Sequence, residues 1–385
     1  MDAITGGTVV DADGVRAADV GIDDGEVTQV AARGSLDVDE PLDATGAYVV
    51  PGLVDAHVHL AMDGRPDPAV YQDEGTATKA MRAVSNLQDL LAAGVTATRD
   101  LGAAGDVAIA ARDMVAAGEV DGPRVRPAGQ NVVMTGGHGH WFGREADGPA
   151  EVRKAAREQL KAGADVVKCM ATGGVLTEGA EVGAPELTEA ELSALVDAAT
   201  AKGVPTAAHA HGTSGIENAV RAGIDSIEHG TFMNAEVAEM MAERGTRWVP
   251  TASALHGIVD AGTEGGIPEY AVRKAERAAA AFDEAFDHAL AAGVPIAMGT
   301  DAGTPFNHHA DVAGELSYMV DHGMSPGDAL AAATVEGADL LGLDDHGLVA
   351  EGYRADLLVL AADPLEDAGA WQDPVAVVRD GRVVA

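Results

Sequence analysis

Between residues 49 and 300 the chain repeats one pattern eight times, and few folds accept it. Short apolar runs near 49–60, 96–101, 124–133, 165–172, 205–211, 225–229, 247–252 and 294–300 read as strands. Most are separated by stretches rich in Ala, Glu and Leu that read as helices, at 75–93, 105–117, 149–162, 187–202, 234–244, 269–292 and 310–322. Several of these close on a glycine suited to a left-handed cap, as at Gly163 and Gly293. Such alternation needs a parallel sheet, because each helix carries the chain back to begin the next strand. Eight units predict an α/β fold of the (β/α)8 TIM-barrel type. A doubly wound open sheet is the competing fold, but no Gly-rich phosphate loop or nucleotide fingerprint supports it.

The two ends speak a different grammar. Residues 1–48 are short β-type runs punctuated by Asp13-Gly14 and Asp24-Gly25, dipeptides that favour tight hairpin turns. The carboxyl end echoes this, with a strand at 355–360 and a hairpin around Asp380-Gly381. The expectation is one small β-sandwich domain built from 1–48 and 346–385, beside a barrel domain over 49–345.

Charge narrows the function classes. Lys and Arg number 25 against 62 Asp and Glu, a formal net charge of −37. So negative a field repels nucleic acid and anionic membranes, leaving a small-molecule substrate as the expected partner. It is tolerable where molar salt shortens the screening length to about 3 Å, so a halophilic, cytoplasmic protein is expected. The single cysteine, Cys169, excludes an internal disulfide and fits a reducing compartment. No apolar run approaches the ~18 residues of a membrane span. Assembly into a homo-oligomer is compatible with all of this.

In a barrel, chemistry sits at the carboxyl ends of the strands. Reading those ends in order gives Asp55, His57 and His59 in PGLVDAHVHL, His138 and His140 in GGHGH, and Lys168 in DVVKCMATGG. Next come His209 and His211 in AHAHG, His229 in SIEHG and Asp301 in AMGTDAG. Strand alternation puts His57 and His59 on one face, a ready metal pincer, although an isolated pair could equally be buried and satisfied by hydrogen bonds. Seven of the thirteen histidines at strand ends decide for metal. Lys168 is one of six lysines, yet it is placed in an apolar strand where burying an ammonium is costly. A desolvated lysine has a lowered pKa, and its neutral amine can add carbon dioxide to give a carbamate, a two-oxygen anionic ligand. The alternative is a lysine paired with a buried acid.

PGLVDAHVHL, the lysine strand, AHAHG, IEHG, GTDAG and the later GDALAAATVEGADLLGL followed by ADLLVL, in that order, resemble the amidohydrolase superfamily of metal-dependent hydrolases. The resemblance covers nearly the whole chain and is closest to imidazolonepropionase-like proteins and to prolidase-like dipeptidases with a carboxylated lysine. It implies two divalent metal ions, with Zn²⁺ suited to the donors. His57, His59 and Asp301 would hold one, His209 and His229 the second, and a carbon dioxide-derived carbamate on Lys168 would bridge them. Alternation cannot choose between His209 and His211; the resemblance favours His209 and leaves His211 to the pocket.

The same resemblance implies hydrolysis of a carbon–nitrogen bond by water activated between the cations. Asp301 would move the proton, and His140 or His211 would support the developing oxyanion. The expected substrate is a dipeptide or N-acyl amino acid whose free carboxylate meets Arg65 and Arg144 beyond the strand ends, with pairing of these arginines to the many nearby acids an equal alternative. A cyclic amide is the alternative, with phosphotriester hydrolysis or deamination on the same fold further away. Trp141 and Phe142 are expected at the pocket, Cys169 in the core, and 262–266 in a flexible loop that could act as a lid.

Overall fold

The computed structural model describes residues 1–385. Leu53–Val58, Val95–Asp100 and Arg124–Pro127 pair in parallel. So do Val167–Met170, Thr206–Gly212, Ser226–Phe232 and Arg247–Val249. Two seams join these runs into a ring. At one, the Asp165 N–H donates to the Pro127 carbonyl at 2.8 Å. At the other, the extended segment 294–300 takes the eighth place. Trp248 and Ile296 bridge, the Ala56 N–H donates to the Met298 carbonyl (2.9 Å), and the Asp301 N–H donates to the His57 carbonyl (2.7 Å). The result is a (β/α)8 barrel. Its strands are buried on both faces, which is why they read as nearly continuous apolar runs.

Helices cover the ring. Thr76–Ala92, Gly148–Ala162 and Glu269–Ala292 follow the predicted stretches closely. Gly163 and Gly293 adopt the left-handed cap at φ 102° and 71°. Four helices were not predicted, among them the short Pro326–Ala332 and Val335–Leu340. Thr213–Ala222 opens on turn-type residues, Thr-Ser-Gly, and Ala252–Ala261 is short, apolar and interrupted by Gly257. The turn 262–266 joins Ala252–Ala261 to Glu269–Ala292 and packs on the loop after segment 294–300, where a Cβ on Gly265 would meet the Phe306 ring at 3.0 Å.

The chain ends form a β-sandwich. Its strands run in the order 382–383, 376–379, 357–360, 48–51, 8–11, 14–23, 3–5 and 41–43, with 26–32 also paired to 14–23. A separate apolar core including Ile4, Val9, Val20, Val49, Leu357, Val359 and Val378 fills it. The turns Asp24-Gly25 (φ 48°, 78°) and Asp380-Gly381 (φ 48°, 71°) have the two positive φ values that match strand twist.

One expectation needs correcting. The run 49–60 is two strands rather than one: Tyr48–Pro51 pairs with Leu357–Leu360 in the sandwich, and Leu53–Val58 begins the barrel. Gly52 divides them, because a Cβ there would lie 2.3 Å from Thr96 Oγ1. We therefore propose the division between the two domains at Gly52 instead of after residue 48. No helix is long and apolar enough to cross a membrane.

Candidate active site

His57 and His59 leave the end of the first barrel strand and meet Asp301 from the eighth position. Asp301 Oδ1 lies 3.3 Å from His57 Nε2 and 3.1 Å from His59 Nε2. Across the mouth, the His209, His211 and His229 rings stand 4.5 to 4.8 Å apart, centroid to centroid, and His57 is 5.3 Å from His229. Two sets of donor atoms fall within 4.8 Å of one another, His57–His229–Asp301 and His209–His211–His229. His229 belongs to both, so two neighbouring cation positions share one wall.

The local backbone makes this convergence possible. His229 (φ 70°) and Asp301 (φ 57°) sit in left-handed conformations that L-residues rarely adopt. Period-two alternation would send Glu228 and His229 to opposite faces. The turn at His229 instead brings its ring to the cavity while Glu228 stays inside the barrel, against His57 and Arg99.

All the rings but His209 are held from behind. His59 Nδ1 donates to the Gly102 carbonyl at 2.9 Å. Thr251 Oγ1 donates to the Pro250 carbonyl and so accepts from His229 Nδ1 at 2.7 Å. Both bonds place a proton on Nδ1 and so turn Nε2 toward the cavity. His211 Nδ1 lies 2.7 Å from Thr231 Oγ1, and His138 Nδ1 is 3.0 Å from Thr177 Oγ1. His57 Nδ1 meets Glu228 Oε2 at 3.0 Å. Glu228 in turn accepts from Arg99 (2.9 Å) and Ser226 (2.6 Å). Asp55 accepts from the His57 N–H (3.1 Å) and from Thr300 Oγ1 (2.7 Å), tying the first strand end to the eighth.

The electrostatics favour neutral imidazoles at five of the six rings; at His59 burial also works against the charge, but Asp301 beside Nε2 outweighs it and raises the pKa. Burial lowers His57 and His211 to about 4 and His138 to about 3, and depresses His209 and His229 well below the ordinary value. Burial opposes ionisation of Asp301, but His57 and His59 hold its pKa below the usual carboxylate value. Glu228 is held at about 2: burial works against this, and Arg99 overrides it. Lys168 is 1% exposed and lowered to about 8, chiefly by burial. It makes no ion pair, because the acids whose charge it feels are engaged by His57, His59 and Arg99. His209 Nε2 and Asp301 Oδ1 are buried polar atoms without hydrogen-bond partners. Neutral imidazole nitrogens, an ionised carboxylate and orphaned donors fit a divalent metal.

These groups line a hollow whose other walls are mainly apolar, among them Met62, Val175, Leu176, Leu255 and Ile258. Trp141 and Phe142 line it as expected, and Cys169 is buried in the core, its thiol pushed up to about 12 by burial. His57, His59, Lys168, His209, His211, His229 and Asp301 all meet here.

His140 does not. It is exposed, and its Nδ1 bonds back to the Gly137 carbonyl at 3.0 Å, while the turn at Gly139 (φ 69°) sends His138 into the cavity in its place. Arg65 and Arg144 are also absent from the lining. Arg65 pairs with Glu74 (2.8 Å) and Asp63 (3.2 Å), and Arg144 with Glu158 (2.8 Å). Sequence reasoning missed Glu228, Arg99 and the three threonines behind the rings. A lone Glu and a lone Arg inside two apolar strands were the available signal for the first two.

A model of the amidohydrolase family matches residues 48–384. The ochratoxinase of Aspergillus niger is 33% identical over 368 residues, covering 86% of this chain and 74% of that protein. The imidazolonepropionase of Paracidovorax citrulli is 29% identical over 387 residues, covering 88% of this chain and 83% of its own. A solved Xaa-Pro dipeptidase with methionine bound in its active site superposes with a TM-score of 0.93 at 33% identity, over 99% of each chain.

Proposed function

The chain belongs to the amidohydrolase family, and on that footing we propose that it cleaves the amide bond beside the free carboxylate of a dipeptide or N-acyl amino acid. Its action as a hydrolase of carbon–nitrogen bonds is common ground with its relatives; the substrate is our reading. The observation that carries it is the meeting of five neutral imidazoles, Asp301 and an unpaired buried lysine at one mainly apolar hollow. The dipeptidase likeness supports an acyclic substrate. A cyclic amide is the second reading, favoured by the imidazolonepropionase relative.

In this reading His57, His59 and Asp301 hold one divalent cation and His209 and His229 the other, with Zn²⁺ suited to imidazole and carboxylate donors. Lys168 joins them as a carbamate: its neutral Nζ forms a bond to carbon dioxide and releases a proton, which a lysine tied to a buried acid could not do readily. Cations held there supply Lewis acidity to the amide carbonyl and to water. Asp301 turns Oδ1 toward His57 and His59 Nε2, where the cation would be held. Oδ2 is left to take the proton of the attacking water and return it to the leaving nitrogen. His211, and His138 in place of His140, stand where a donor can meet the oxyanion.

We read the net charge of −37 as suited to a salt-rich, reducing interior. The test is a metal-reconstituted screen of dipeptides, N-acyl amino acids, lactams and hydantoins at high salt. Free acids should be cleaved much faster than their C-terminal amides. Equal rates, or turnover of cyclic amides alone, would overturn the proposed substrate.

A further inference from the structure

Beside the catalytic hollow lies a second, smaller one, and Met62, Trp141 and Phe142 line both. Gly102, whose carbonyl accepts from His59 Nδ1, belongs to its wall as well. The second pocket is otherwise apolar, apart from the Tyr71 phenol and one cation, Lys79.

Lys79 is 9% exposed on the inward side of helix Thr76–Ala92. It pairs with no acid and its ammonium meets no hydrogen-bond acceptor of the protein, in a chain with 62 acids and six lysines. The nearby carboxylates are spoken for: Asp63 and Glu74 engage Arg65 and Arg82. Lys168 is the one other lysine buried in this chain. A cation left unpaired against an apolar wall, next to the catalytic hollow, is the arrangement a carboxylate with an aliphatic or aromatic neighbour would complete.

We propose that this pocket is the carboxylate subsite of the substrate, with Lys79 as the recognising cation in the role that Arg65 and Arg144 cannot fill. The inference rests on the reading of the substrate given above, and it adds that the acid end carries an apolar side chain. Lys79 sets specificity without touching the scissile bond.

Two measurements on the full-length, metal-loaded protein test it. The first is kinetics on N-acetylphenylalanine and its C-terminal amide. The free acid should lead in kcat/KM, and Lys79→Met should collapse that lead by about 10- to 100-fold, mainly through KM, with Lys79→Arg restoring most of it. The second is calorimetric titration with 3-phenylpropanoate and its primary amide, which needs no turnover. The wild type should prefer the acid and Lys79→Met should not. An acid preference that survives Lys79→Met in both measurements, or an equal loss for acid and amide that Lys79→Arg does not rescue, overturns the subsite. Should the wild type hydrolyse no acyclic amide, the proposed substrate fails while the titration still decides Lys79.

Discussion

His57 Nδ1 lies 3.0 Å from Glu228 Oε2, and the other oxygen of that carboxylate accepts from Arg99 at 2.9 Å. The proposed metal site is therefore backed by a fully buried ion pair that spans the barrel interior. Glu228→Gln removes the charge that orients His57 and leaves Arg99 buried without a partner. Metal affinity should fall ~10- to 100-fold, and stability should drop by on the order of 3 kcal/mol. Competition with a chelator and a denaturant titration read the two effects; affinity within a factor of about two of wild type would rule out the orienting role.

Lys168→Ala should lose bound metal and activity together, and short-chain carboxylic acids should restore part of both by standing in for the carbamate. Metal analysis with and without added acetate or propionate checks this. An untreated mutant with full activity removes the bridge from the mechanism.

Asp301→Asn should lower kcat by at least ~10²–10⁴ while the chain stays folded, because a proton carrier and a metal ligand are lost together. Near-normal turnover at full metal occupancy would assign the proton transfer elsewhere.

Glu315 gives a pH prediction away from the metal site. It is fully buried and accepts the N–H groups of Ala252 (2.9 Å) and Ser253 (2.8 Å), yet burial still pushes it up to about 7 from 4.5. Between those values the folded state binds more protons than the unfolded state. The group's contribution is therefore full below pH 4.5 and is lost as pH rises through 7. Glu315→Gln should flatten that part of the stability profile, by on the order of 3 kcal/mol across the window. Parallel wild-type and mutant profiles from pH 4.5 to 8 would contradict the shift.

The charge of −37 predicts a melting temperature that climbs steeply with salt. Scans from 10 mM to 3 M KCl measure it, and a flat response would end the halophilic reading.

The barrel was legible because helical and strand periods alternate so regularly between residues 49 and 300. His57, His59, Lys168 and Asp301 were legible because ionisable groups in apolar strands are costly unless used. Three things lay beyond a periodic reading. Alternation assumes extended backbone, so it could not foresee that positive φ at His229 turns the ring inward while Glu228 stays inside. It could not tell His138 from His140, because a turn at Gly139 decides which ring enters the cavity. It left Arg65 and Arg144 open between a ligand and a nearby acid, because periodicity does not say which carboxylate a long side chain reaches; Glu74 and Glu158 take them. Lys79, carried on an ordinary amphipathic helix, gave no sign in the sequence at all.

The split at Gly52 bears on how the chain is made. A nascent chain can lay Tyr48–Pro51 beside Thr8–Asp11 at once, but the neighbour on the other side, with Leu357 opposite Pro51, emerges roughly 300 residues later. Until then the sandwich has a bare edge, and the first barrel strand hangs from it through a single glycine. Final seating of His57 and His59 is thus a late event in synthesis. A ribosome-bound chain stalled before Leu357 would hold every proposed metal ligand and still lack the support from which the first two are hung.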